Sequence, residues 1–128
     1  MDIKLYDSSQ NNQLFKMFEE EGPDWEVYYN QEGRQNYTLA LKSNHTYLAY
    51  ENSVLCAYIR CREDNGFGAY IYDLLVKKTY RGNRIGHKLM NYLCSIYPDQ
   101  TVYVMSDEDS YYEKMGCKRI GFIFEVER

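Results

Sequence analysis

The stretch LLVKKTYRGNRIGHKLMNYL, Leu74 to Leu93, restricts what this chain can fold into more than any other part of it. It overlaps the end of a run, Ala69 to Val76, that is apolar on both faces apart from Asp73, as a central strand must be. Beyond Gly82, Ile85, Leu89, Leu93 and Ile96 recur at helical spacing, with Asn83, Arg84, His87, Lys88 and Asn91 on the other side, so a helix of about four turns follows. Where a strand enters a helix through such a turn, the first amides of the helix lack intrahelical partners and point outward together, which makes an anion site. Glycine lets a phosphate approach the main chain, and Lys77, Lys78, Arg81, Arg84 and Lys88 add charge in a stretch that holds no acid. A diphosphate fits this description, and so does a glycine that merely turns the chain. Neither the P-loop pattern G-x-x-x-x-G-K-[ST] nor the dinucleotide fingerprint G-x-G-x-x-G occurs.

A chain of 128 residues has room for one domain with a real core, spanning residues 1–128. Apolar residues continue to the end, which argues against a disordered tail. No segment approaches bilayer-spanning length, and Asp2 and Lys4 stand where an export signal needs a basic and then an apolar segment. The expectation is a cytoplasmic protein with no membrane association. Cys56, Cys61, Cys94 and Cys117 follow no C-x-x-C spacing, and with only His45 and His87 beside them no metal is expected. The net charge of -4 conceals a segregation: Glu19, Glu20, Glu21, Asp24 and Glu26 crowd one early stretch, opposite in sign to the basic turn. No general basic face for nucleic acid exists, and a local anion site opposed to a local cation site is the better inference.

Element order follows from periodicity. Met1 to Tyr6 alternates as a first strand, Gln13 to Phe18 has amphipathic helical spacing, and Gly22-Pro23 should end that helix. Asp24 is the expected N-cap of a second helical stretch carrying Trp25, Val27, Tyr28 and Tyr29. From Thr46 the texture becomes β, with a hairpin turning at Glu51-Asn52-Ser53 and a second turn carrying Asn65-Gly66. After the long helix, Pro98 is a stop, Thr101 to Met105 a short strand, Asp107 to Lys114 a short helix with Gly116 as C-cap, and Arg119 to Val126 a last strand. A β meander followed by one helix joining two strands implies an α+β domain with a mixed sheet.

The glycine turn resembles motif A of the GNAT superfamily of acetyl-CoA-dependent N-acetyltransferases, R/Q-x-x-G-x-G/A: Arg81, Ile85 and Gly86 fall in register, and YRGNRIG is similar to the common YRGxGIG variant. Downstream, YYEKMGC, Tyr111 to Cys117, looks like the FYEKLGF segment of motif B. The resemblance covers roughly Tyr70 to Phe124. It implies a GNAT-like mixed, mostly antiparallel central sheet flanked by helices, with a fourth and fifth strand that part to admit the pantetheine arm. It further implies that the main chain at Leu75 and Val76 pairs with the pantetheine amides and that Asn83, Arg84, Ile85, Gly86, His87 and Lys88, with Arg81 and Gly82, hold the diphosphate of acetyl-CoA. Arg84 stands where the family usually has its central glycine. Arg is costly there if the backbone needs an unusual φ and cheap if it is ordinary first-turn helix, and the second is expected.

Transfer of an acyl group from a thioester to an amine needs a neutral amine, a polarised carbonyl and a proton for the departing thiolate. Tyr112, on the family's motif B tyrosine, is the expected general acid. Asp73, a lone acid in a central strand, either draws in the substrate ammonium and accepts its proton through water, or makes a structural hydrogen bond. The acids and aromatics of Phe18 to Trp25 suit a cationic amine such as a polyamine, an aminoglycoside or a lysine side chain, though a solvated helix face has the same composition. The function expected is N-acetylation of a small-molecule or peptide amine by direct transfer in a ternary complex, by a monomer or homodimer. The alternatives are a non-catalytic CoA-binding module of the same fold and a plain interaction domain.

Overall fold

In the computed structural model, which describes residues 1–128, the expected hairpin forms as β2 (His45–Glu51) and β3 (Val54–Glu63), turning through Asn52 and Ser53. β4 (Ala69–Val76) follows the Asn65-Gly66 turn and lies antiparallel to β3. β1 (Asp2–Leu5) adds antiparallel to β2, and β5 (Val102–Val104) adds parallel to β4. The sheet therefore has the order β1-β2-β3-β4-β5, mixed and mostly antiparallel, in an α+β fold.

The central strands are apolar on both faces because each face has its own core. Leu48, Tyr58 and Leu75 pack on one side with α1 (Asn11–Glu21) and α3 (Gln31–Ser43). Ala49, Ile59 and Ile71 pack on the other with α4 (Ile85–Ile96) and Tyr112 of α5 (Asp109–Lys114). α1 buries Leu14, Phe15, Met17 and Phe18, the stripe its spacing foretold, and stops at Gly22. Asp24 is not an N-cap: it lies inside a 3-10 turn, Pro23–Trp25, and Trp25 precedes the short α2 (Glu26–Tyr29). α3 was not legible in the sequence, since only Tyr37 and Leu41 of its 13 residues are buried and its apolar stripe is thin. Its start is marked instead by Asn30, whose side-chain oxygen accepts from the Gly33 amide at 2.7 Å.

One expected element does not form. Residues Arg119 to Val126 make no strand, and Ile120, Phe122, Ile123, Phe124 and Val126 are 68–86% exposed. Alternation supports a strand only if the segment meets an edge, and no backbone group of residues 118–128 hydrogen-bonds to another, although the outer edge of β5 has no partner strand.

The sheet is split at one place. β4 and β5 pair only from Ala69↔Val102 to Ile71↔Val104, closed by the Met105 amide donating to the Ile71 carbonyl at 3.0 Å. β4 then runs on to Val76 with β3 alone beside it. Behind this stretch the hydroxyls of Tyr37 and fully buried Tyr58 share a hydrogen bond of 2.7 Å.

Burial, followed by the charge of Asp73 for Tyr37 and the neighbouring Tyr37 for Tyr58, holds both phenols well above the ordinary tyrosine value. A folded pKa above the unfolded one confers stability that is intact below about pH 10 and is lost as pH rises further, because the unfolded chain ionises first. In an alkaline titration, the phenolate absorbance of these two residues is therefore expected to emerge together with loss of circular dichroism. Full ionisation of both with the fold intact would contradict this account.

Candidate active site

The turn between β4 and α4 is built from a single 3-10 turn, Lys78–Tyr80, an extended Arg81, Gly82 at φ 87° and Arg84 at φ 60°, ψ 24°. Arg84 thus occupies the left-handed region immediately before Ile85, and the expectation of ordinary first-turn helix there is wrong. A residue with a side chain costs more than glycine at such a φ, which gives the position a physical reason to prefer glycine. No side chain caps α4, because the Asn83 amide group donates to the Tyr80 carbonyl at 3.1 Å instead. The first amides of α4 are left without a side-chain partner, beside Lys78, Arg84 and Lys88, none of which makes an ion pair. Gly82 has open space where a side chain would stand. Uncapped helix start, open glycine and unpaired cations together suit an anion of diphosphate size.

Of the other residues expected here, Ile85 turns its side chain into the core and can offer only its amide, while His87 is half-buried and Lys88 exposed. Gly86 is buried, and a Cβ on it would collide with the Tyr111 hydroxyl. The sequence did not single out Tyr111, yet its phenol lies where a side chain at position 86 would begin. Arg81 is spoken for: its Nε donates to the Val76 carbonyl at 3.0 Å and its Nη2 to Glu21 Oε1 at 2.6 Å. Lys77 lies 3.6 Å from Glu20. The acid-rich stretch is therefore partly folded back on the basic turn, and Glu20 and Glu21 form no free face for a cationic partner.

Tyr112 is 7% exposed and packs in the core with Ile71, Ile85 and Leu89. Its hydroxyl makes no hydrogen bond within the protein, yet no buried polar atom is left unsatisfied, so that oxygen reaches solvent while the ring does not. Burial first, then Asp107, Tyr111, Cys117 and Asp73, push this phenol well above its ordinary value and keep it protonated. It can donate a proton at any physiological pH.

Asp73 has the partners a buried carboxylate requires. Its Oδ2 accepts from Arg60 Nε at 2.6 Å and from the Tyr37 hydroxyl at 2.6 Å, and the Arg60 guanidinium lies over the Tyr37 and Tyr72 rings at 5.2 Å. A carboxylate so engaged orients its neighbours better than it removes a proton. The signal for this pair was present in the sequence: Arg60 is the lone charge in Val54–Cys61, as Asp73 is in Ala69–Val76, and the two are directly opposite across β3 and β4. Asp107, two residues beyond Met105 on the far side of the split, makes no ion pair or hydrogen bond and acts on the phenols of both Tyr28 and Tyr112.

Since Arg84 carries the strain of a left-handed backbone, Arg84→Gly is expected to stabilise the protein by about 1 kcal/mol. The measurement is a urea midpoint that rises with an unchanged slope. A lower midpoint would show that the Arg side chain compensates for its backbone.

A sequence profile of the acetyltransferase (GNAT) family matches residues 12–122. No curated protein matches the sequence. Among solved structures, the chain is similar to a GNAT-family acetyltransferase from Streptococcus pneumoniae TIGR4, with a TM-score of 0.69 and 20% identity over 99% of this chain and 98% of that one. An aminoglycoside 6'-N-acetyltransferase complexed with coenzyme A aligns with a TM-score of 0.74 and 19% identity, over 94% of this chain and 87% of that one. Glucosamine-6-phosphate N-acetyltransferase from Arabidopsis thaliana aligns with a TM-score of 0.71 and 14% identity, over 98% and 97%. At these identities the structures speak to fold alone, but the profile spans most of the chain, and with the split sheet, the uncapped helix and the motif B tyrosine already in place, the protein belongs to the GNAT acetyltransferase family.

Proposed function

We propose that the protein is an acetyl-CoA-dependent N-acetyltransferase acting on a primary amine of a small molecule or peptide, by direct transfer in a ternary complex. The observation that carries this reading is Tyr112, a phenol with a buried ring, a raised pKa and a hydroxyl free of protein partners. Acetyl-CoA, when bound, would supply the acetyl group as a thioester. The α4 amides, Gly82, Arg84 and Lys88 would hold the diphosphate, and the unpaired edge of β4 at Leu75 and Val76 would receive the pantetheine amides. Tyr112 Oη then donates its proton at the sulfur as the thiolate departs.

Asp73 serves this chemistry as a positioning residue, holding Arg60 and Tyr37 along one wall of the cleft. Asp107 is the better candidate to receive the acceptor ammonium, because its carboxylate is unpaired and electrostatically coupled to Tyr112. Two neighbours in fold are named for acting on an aminoglycoside and on glucosamine-6-phosphate, which supports an acceptor of small-molecule amine type. A second reading, a CoA-binding module without turnover, is favoured only by the strained Arg84 and by the engagement of Arg81 with Glu21.

Calorimetry with acetyl-CoA tests the binding half: saturable binding is expected, and none at millimolar ligand would remove both readings. Thiol release with a panel of amines separates them. Tyr112→Phe is expected to lower kcat by roughly 100-fold or more while leaving acetyl-CoA affinity within a few-fold, in line with the typical contribution of a general acid. Full turnover by that variant would take the acid role from Tyr112.

The charge contacts predict opposite effects on affinity. Arg81→Ala should raise KM for acetyl-CoA more than it lowers kcat, because the contact is remote from the reacting carbon and contributes uniform binding. Glu21→Gln should tighten acetyl-CoA binding by roughly 3- to 5-fold, since it removes the charge of a partly covered carboxylate that competes for Arg81. Weaker binding by the Glu21 variant would mean that the ion pair organises the turn instead.

A further inference from the structure

The face of the sheet that carries Asp73 continues past the cleft into a second polar depression. Tyr72 has no counterpart in β3, because Arg60 lies opposite Asp73 and Cys61 opposite Ile71. A bulge of this kind re-aims a side chain, and here it brings Tyr72 onto the same face as Asp73, its neighbour in sequence. The Arg60 guanidinium meets both, the carboxylate at 2.6 Å and the centre of the Tyr72 ring at 5.2 Å. On the N-terminal side of Tyr72, a groove of about 350 Å³ is lined by Arg62, Asp64, Tyr70 and Tyr72. One wall is stiffened by the Tyr70 ring, which stacks on Tyr103 of β5 at 5.0 Å. Neither Arg62 nor Asp64 makes an ion pair. Glu63, between them, is occupied by the Asn65 and Gly66 amides and by Gln100, so it does not neutralise Arg62.

Two opposite charges that line one groove without pairing reject a simple anion and a simple cation alike, since each would meet one favourable and one unfavourable partner. A group that carries both signs satisfies both. The head of a free amino acid does so, with a carboxylate suited to the Arg62 fork and an ammonium suited to Asp64. We propose that this groove is an acceptor subsite for an α-amino acid head group, so that the molecule acetylated is a free amino acid with a second, terminal amine, of the lysine or ornithine type. Its methylenes lie along the Tyr70 and Tyr72 rings, and its terminal amine arrives where β4 and β5 part, beside Asp107; this end rests on the acetyl transfer proposed above. Tyr70 and Asp73 are three residues apart, about 10 Å along a strand and less with the bulge, which suits the reach of such a molecule from head group to amine. A lysine within a peptide has neither head charge and gains nothing from Arg62 or Asp64.

The test compares thiol release from acetyl-CoA with L-lysine, L-ornithine, cadaverine and Nα-acetyl-lysine amide as acceptors. The kcat/KM for L-lysine or L-ornithine is expected to exceed that for cadaverine and for the capped lysine by roughly 10-fold or more, mostly through KM, because the head group is remote from the reacting carbon. Arg62→Gln and Asp64→Asn, both at exposed positions, should each shrink that preference by roughly 10-fold. Equal rates for all four acceptors, or a preference that survives both substitutions, would overturn the assignment. Calorimetry with L-lysine in the presence of CoA separates the groove from the chemistry. Saturable binding that Arg62→Gln weakens supports the groove even if no amine is acetylated. Absence of binding removes it, and turnover of cadaverine by the same protein would leave acetyl transfer standing.

Discussion

The site depends on β4 outrunning β5. Once the Met105 amide has donated to the Ile71 carbonyl, β5 ends and β4 continues to Val76 with one edge unpaired. An unpaired strand edge inside a protein is costly unless something else provides the missing hydrogen bonds. Here the Arg81 guanidinium takes the Val76 carbonyl, an interim solution by a flexible side chain. The Tyr112 ring is buried in the core shared by α4 and the sheet, while its hydroxyl has no protein partner. The exposed edge thus follows from the unequal length of two parallel strands, and the uncapped start of α4 from the turn that precedes it.

Electrostatics around this gap are arranged in two tiers. Deep in the wall, Asp73 is saturated by Arg60 and Tyr37, and both of these partners are fixed by packing. Breaking one member of such a buried group strands the other, which is why it reads as framework. Nearer solvent, Asp107 is unpaired, and the Glu21–Arg81 and Glu20–Lys77 contacts are partly exposed and exchangeable. Charges that an anionic ligand must recruit are held loosely, whereas the charge that shapes the wall is held tightly.

The left-handed Arg84 and the tightly covered Gly86 show how one motif can contain two different demands for glycine. Position 84 is governed by its own φ, and position 86 by the hydroxyl of a residue on a distant helix. The first demand is violated at modest cost, since φ 60° with ψ 24° lies in an allowed region for L residues. The second is met, since a Cβ at position 86 would displace the Tyr111 ring from its place over the turn.

Local patterning by itself determined most of the elements: the two hairpins, the central strand apolar on both faces, the stripe of α4 and the glycine turn between them are properties of adjacent residues. It also singled out Tyr112, Asp73 and the basic turn, because motif spacing is a local quantity. Tertiary structure alone decided what each of these touches. Asp73 became a framework residue because β3 places Arg60 opposite it, and Glu21 reached Arg81 only when α1 packed beside the sheet. It also decided that Arg119–Val126 stays unpaired, since a strand's hydrogen bonds belong to its neighbour and not to its own sequence.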